Sequence, residues 1–201
     1  KTPVTVYGPD GLERYWTGFL DAMKADIDLR IADEGRPDLR ALVSFHVIDA
    51  GEVMTSDGIA VAAIRTEHPP LVDCFALSFT TDACHVVFSG DTAPITALEE
   101  FAHGADLLIH EAMLEAALPA LMARVGNGSE KLLQHMRRSH TCAHDAAACA
   151  TRAKVKALAL VHLVPADDPD YTEQDWIAAC DGHWDGPLYV GRDGLRIDLP
   201  G

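Results

Sequence analysis

The chain predicts an α/β fold from two features of its hydrophobic pattern. Short apolar runs of strand length alternate with stretches whose apolar residues recur at helical spacing, and no repeat or low-complexity segment interrupts them. Three of these runs also end on an acid/base or metal-binding side chain: Val86-Val87-Phe88-Ser89-Gly90-Asp91, Leu107-Leu108-Ile109-His110-Glu111 and Leu158-Ala159-Leu160-Val161-His162. In an α/β sheet the strand C-termini gather at one edge, so these runs can deliver Asp91, Glu111 and His162 to one crevice. That is the layout of a hydrolytic site.

Each element follows in order. Val4 to Tyr7 predicts a strand, and Leu12, Tyr15, Trp16, Phe19, Leu20 and Met23 predict an amphipathic helix after the Pro9-Asp10-Gly11 turn. Asp26 to Arg40 is polar and poorly periodic, so a connection with a short strand at Asp28 to Ile31 is expected. Ser44 to Ile48, Ile59 to Glu67, Cys74 to Thr80 and His85 to Ser89 read as successive strands, the last two joined at Thr81-Asp82. Pro94 to Ala102 predicts a helix, Asp106 to Ile109 a buried strand, and Met113 to Val125 a helix stopped by Gly126-Asn127-Gly128. Ser129 is placed to cap a further helix through Arg138. Another helix starts near Thr141, with Asp145 at its positive end, and runs to Lys154. Thr172 and Asp175 make a capping-box variant that opens a helix to Cys180. Asp193-Gly194, between Leu188 to Val190 and Leu195 to Leu199, predicts a hairpin. No linker is visible, so residues 1–201 are expected to form a single domain.

Composition limits the function classes. Thirty-one acidic against sixteen basic side chains give a formal charge of −15, which argues against extended nucleic-acid binding. The apolar stretches fall far short of the roughly 20 residues a membrane helix needs. No signal-peptide pattern opens the chain, so a cytoplasmic location is expected. The five cysteines are odd in number and lack C-x-x-C spacing, which favours reduced thiols over a disulfide framework or a zinc ribbon.

Individual residues carry the candidate chemistry. Asp91 stands in Ser89-Gly90-Asp91-Thr92, where glycine permits a sharp turn after a buried strand; its carboxylate can bridge two metal ions or cap the next helix, and the tetrapeptide leaves both open. His162 leaves the core at a strand end shortly before Pro165. His68 precedes Pro69-Pro70, which biases its backbone toward an extended path. His140 sits between Arg137-Arg138-Ser139 and a helix start, where it can serve as a general acid with Glu111 fixing its tautomer; an exposed cap-region histidine is the alternative. His110, His135, His144 and His183 read as structural. Cys142 and His144 stand near His140, but their helical phase is poor for a second metal site.

The blocks Val6-Tyr7-Gly8-Pro9, Thr66-Glu67-His68-Pro69, Phe88-Ser89-Gly90-Asp91-Thr92, Ala105 through Ala112, Ser139-His140-Thr141 and Leu160-Val161-His162-Leu163 together resemble the metallo-β-lactamase superfamily, in its ribonuclease Z and arylsulfatase-like branch. The resemblance implies a partial αββα sandwich of mixed β-sheets flanked by helices, with a two-zinc site at the sheet edges. By motif position it implies metal ligation by His68, Asp91 and His162, proton donation by His140, and Glu111 as its orienting partner. Two zinc ions would lower the pKa of a bound water to about 7. The family signature H-x-H-x-D-H occurs nowhere in the chain. The expectation is therefore an incomplete ligand set, with the N-terminal portion of the domain absent.

Many ribonuclease Z enzymes, which the chain resembles, carry a long insertion between the positions of His68 and Asp91, and here only twenty-two residues separate the two. With the acidic balance, this favours a zinc-dependent hydrolase of a small sulfate ester, phosphodiester or lactone. The expected partners are a small-molecule ester, with nucleic acid unlikely, and a second copy of the chain, because a partial domain would expose a large apolar face. An RNA phosphodiesterase of the ribonuclease Z type is the first alternative. A metal-free interaction domain is the second.

Overall fold

The structure, a computed structural model, describes residues 3–125, 129–166 and 168–199. Its contacts divide the chain into two compact units, one ending at Asp49 and one beginning at Ala50. The Gly126-Asn127-Gly128 breaker, the side chain of Ser129 and the chain's first two residues lie outside the description.

The first unit holds β1 (Val4–Gly8), α1 (Leu12–Ala22), α2 (Lys24–Glu34), a short 3-10 turn (Leu39–Ala41) and β2 (Val43–Val47). The two strands pair in parallel, Val4 opposite Val43 through Gly8 opposite Val47. The strand expected at Asp28 to Ile31 is instead the middle of α2. Ion pairs one helical turn apart explain the difference: Lys24 with Asp28, Arg30 with Asp26 at 2.8 Å and Arg30 with Glu34 at 3.1 Å. Charge spacing, rather than apolar periodicity, marks this helix. Gly35, at φ 64°, ends it in the left-handed conformation.

The second unit is built on a seven-stranded mixed sheet in sequential order: β3 (Gly51–Ser56), β4 (Ile59–Arg65), β5 (Phe75–Thr80), β6 (His85–Phe88), β7 (Leu107–Met113), β8 (Leu158–Val164) and β9 (Leu188–Val190). β3 to β6 run antiparallel, and β6 to β9 are parallel. The β3–β4 hairpin turns at Asp57-Gly58, both at positive φ, as the dipeptide favours. Helices α3 (Thr96–Phe101), α6 (Ala143–Ala153) and α7 (Glu173–Cys180) cover the sheet through a core that includes Val87, Leu98, Leu108, Leu158, Leu160 and Trp176. Alanines 143, 146, 147, 150 and 153 of α6 are all buried, so this helix meets the sheet with small side chains. α4 (Leu118–Val125) and α5 (Ser129–Ser139) meet over Met113, Leu118 and Met136.

Three boundaries differ from expectation. β7 continues four residues beyond Ile109, because the backbone N–H of Met113 still finds Thr141 O at 2.9 Å and that of Leu114 finds Val164 O at 2.9 Å. The helix expected from Met113 therefore begins only at Leu118, after a single 3-10 turn. The expected C-terminal hairpin does not form. β9 pairs in parallel with β8, and residues 195–199 make no strand; Ile197 and Leu199 instead pack on the Leu107, Ala157 and Ala159 cluster. The Thr172–Asp175 capping box is present at the start of α7. Among the described residues no helix is long and apolar enough to cross a membrane.

Candidate active site

Parallel strands β6, β7 and β8 end at one edge of the sheet, and each contributes a side chain there. After β6 the backbone turns at Gly90, whose φ is 61° and where an added Cβ would stand 2.6 Å from the Phe75 carbonyl oxygen. Glycine is the one residue that satisfies both constraints, and the turn presents Asp91. Glu111 lies within β7 and is almost fully buried. β8 contributes His162 through a bulge: Glu111 pairs with Val161 and Ala112 with Leu163, which leaves His162 unpaired at φ 45°. The extra residue turns its side chain out of the pleat toward Asp91.

Buried hydroxyls lock these loops together. Ser89 Oγ accepts the Glu111 N–H at 3.0 Å, and Thr92 N–H donates to Glu111 Oε1 at 2.7 Å. Thr141 Oγ1 donates to Thr92 O at 2.6 Å, and the Ala93 N–H donates to Glu67 O at 2.7 Å, tying the Asp91 loop to the segment before His68. Ser139 Oγ donates to Pro69 O at 2.8 Å, which fixes the His68 loop against the end of α5.

The structure brings all five sequence-selected residues together. Asp91 Oδ2 is 3.5 Å from His162 Nε2 and 4.0 Å from His68 Nε2. His140 Nδ1 lies 2.9 Å from Glu111 Oε2 and 3.1 Å from Oε1. The His140 and His162 rings stack at 5.4 Å, and His68 Nε2 lies 3.4 Å from His140 Nε2. The hydrogen bond that His140 Nδ1–H donates to the Glu111 carboxylate holds the His140 imidazole above its ordinary pKa, against the opposing effect of burial. One nitrogen or oxygen from each of Asp91, His140 and His162 falls within 4.8 Å of the other two, a spacing that a metal ion can bridge.

Two features escaped the sequence reading. His135, read as structural, packs edge-on against His68 at 5.3 Å and His140 at 5.6 Å between ring centroids. Its place five residues before His140 on α5 was the available signal. Burial, together with the nearby His140, His68 and Arg138, pushes its pKa down. Cys142, His144 and Asp145 also approach one another closely enough for a metal ion. Helical phase does not separate Cys142 from His144, because Cys142 is the N-cap of α6, at φ −67° and ψ 150°, and lies outside the helical repeat.

No family model matches the chain. Ribonuclease Z of Mycobacterium tuberculosis is 28% identical over 197 residues, covering 98% of this chain and 69% of that protein. The solved metallo-β-lactamase fold protein YhfI from Bacillus subtilis superposes with a TM-score of 0.65 at 16% identity, over 97% of this chain and 65% of its own. The short form of human tRNase Z superposes with a TM-score of 0.61 at 18% identity, over 100% of this chain and 68% of its own. These likenesses overturn one expectation, that of a small-ester partner with nucleic acid unlikely, because a curated relative spanning nearly the whole chain is a ribonuclease by name. The physical reason is that a whole-chain charge does not describe a local surface. Beside the site, α5 ends on Arg137 and Arg138, and bound cations would add further positive charge there.

Proposed function

We propose, for a chain that belongs to the ribonuclease Z-like hydrolases of the metallo-β-lactamase superfamily, that its site cleaves RNA phosphodiester bonds with the help of bound zinc. One observation carries this reading: the proton-donor geometry of His140 on Glu111 stands directly beside the Asp91, His162 and His68 donors, in a chain 28% identical to ribonuclease Z over 98% of its length.

The donors present fit a borderline divalent ion. Asp91 Oδ2 has an imidazole nitrogen within reach from each of two histidines, His162 Nε2 at 3.5 Å and His68 Nε2 at 4.0 Å, and the buried Nδ1 of His68 has no hydrogen-bond partner. Imidazole with carboxylate is a common zinc donor set. His68, Asp91 and His162 would hold the metal. When bound, it would acidify a water and stabilise negative charge developing on the phosphate.

The remaining roles belong to the protein. Glu111 is fixed by Thr92 N–H and holds the Nδ1 proton of His140. That leaves His140 Nε2 to carry a proton toward the leaving-group oxygen, and the raised pKa keeps it protonated nearer to neutrality. Arg137 and Arg138, at the end of α5, are placed to steady neighbouring phosphates of the strand.

The test is cleavage of an end-labelled RNA hairpin with zinc, alongside the DNA of the same sequence and a nitrophenyl phosphodiester. The expected result is RNA cleavage that a chelator abolishes, with His140→Ala slower by roughly 10²- to 10⁴-fold. RNA left intact under conditions where the small ester is hydrolysed would overturn the proposal.

A further inference from the structure

We propose that His68, His135 and His140 form a second site for one divalent cation of zinc's chemical class, which competes with the Asp91–His162 position and, when filled, removes His140 from proton donation. The site is built from three rings on two segments, the loop after β4 and the end of α5, and one nitrogen of each lies within 4.8 Å of the other two. Every ring pair is in edge contact, with centroids 4.9 to 5.6 Å apart.

Three features make this more than proximity. Tetrahedral zinc, with bonds of about 2.0–2.1 Å, sets its ligand nitrogens roughly 3.3–3.4 Å apart, and His68 Nε2 lies 3.4 Å from His140 Nε2. The hydrogen bonds of the neighbouring atoms also assign the tautomers. Glu111 accepts the Nδ1 proton of His140, so once the ring gives up its second proton the lone pair offered to a metal is on Nε2. Ser139 Oγ gives its own proton to Pro69 O, so it accepts from His135 Nδ1 at 3.2 Å, and the neutral His135 ring then carries its lone pair on Nε2. Outer-sphere support is thus in place for two of the three ligands, from a buried carboxylate and a buried hydroxyl.

The two positions exclude each other. His140 belongs to both groups, and His68 is shared with the metal set proposed above, so an ion held by the three histidines takes His68 and His140 together. The loss of proton donation rests on the functional reading given above, whereas the binding does not. The site therefore predicts inhibition by excess metal in a protein that needs the same metal to work.

Cobalt(II) titration of the full chain, read by its visible ligand-field bands, separates the positions without any RNA. His135→Ala should weaken a cobalt-binding event by roughly 10- to 100-fold or more, while Asp91→Asn leaves that event intact. Imidazole NMR signals of His68, His135 and His140 should broaden together as cobalt is added. The site is overturned if His135→Ala binds cobalt as the parent does, if only the His162 signal broadens, or if a sulfur-to-cobalt charge-transfer band places the ion at Cys142. If His135→Ala does not fold, the broadening pattern of the parent decides alone. With RNA present, inhibition by excess zinc that His135→Ala relieves supports the competing role; RNA left uncut at every zinc level would instead count against the functional reading.

Discussion

The Glu111 carboxylate takes the Nδ1 proton of His140 between its two oxygens, at 2.9 Å from Oε2 and 3.1 Å from Oε1, while Oε1 also takes the backbone N–H of Thr92 at 2.7 Å. A carboxylate buried between a histidine and a backbone amide has its position fixed from both sides. It connects the proton-donor candidate to the loop that presents Asp91, so a change at one is felt at the other.

Glu111→Gln removes the charge and keeps the shape. The His140 imidazole should then titrate lower than in the parent, by NMR, because its hydrogen bond to the carboxylate is the main cause of its raised pKa. The linked stability has a definite sign: the pair's contribution is complete below about pH 6.5 and fades as pH climbs through the raised folded value. Glu111→Gln should flatten that alkaline fade. An unchanged His140 titration would sink this account.

His110 tests the acid side. Its ring is fully buried, it donates from Nδ1 to Glu111 O at 2.7 Å, and burial pushes its pKa down to about 4. Between about 6.5 and 4 the unfolded chain takes up a proton that the folded chain refuses, so stability falls as pH drops through that window. The loss is on the order of 3 kcal/mol by pH 4. Urea melts at pH 7 and pH 4.5 should show a smaller difference for His110→Asn than for the parent.

Gly90→Ala should destabilise the chain by about 1–3 kcal/mol. The added methyl group meets the Phe75 carbonyl oxygen at 2.6 Å, and the backbone stays at φ 61°. Since this turn sets Asp91, zinc affinity should fall as well. Denaturant melts and a zinc titration check both.

At the β8 bulge, stability and binding should separate. His162 holds a left-handed conformation that glycine adopts freely. His162→Gly is expected to be as stable as the parent, or up to about 1 kcal/mol more stable, while losing zinc affinity. A variant that loses stability and keeps its affinity would contradict the placement of His162 as a ligand.

How much of this was legible beforehand depends on the kind of signal. The apolar runs ending at Asp91 and His162 could be read because strand burial leaves a continuous hydrophobic signature that stops where the chain reaches the sheet edge. The Thr172–Asp175 cap was legible because capping depends on residues three apart. Helix α2 was not, since its stabilising pattern lies in charges one turn apart on a mostly polar segment. His135 leaves only a faint trace, its place five residues before His140, and whether that ring faces solvent or two other histidines is set by how the end of α5 packs.

The sequence by itself determined the α/β class, the strands of the parallel half and the residue types available at their ends, because periodicity and strand length are properties of short stretches. The tertiary structure alone decided which of those residues meet. It placed His162 outside the pleat through a one-residue bulge, joined Glu111 to both Thr92 and His140, and added His135 to the group. The physical reason is that bulges, hydrogen bonds across dozens of residues and ring contacts between separate elements depend on register and packing, which no stretch of the chain encodes by itself.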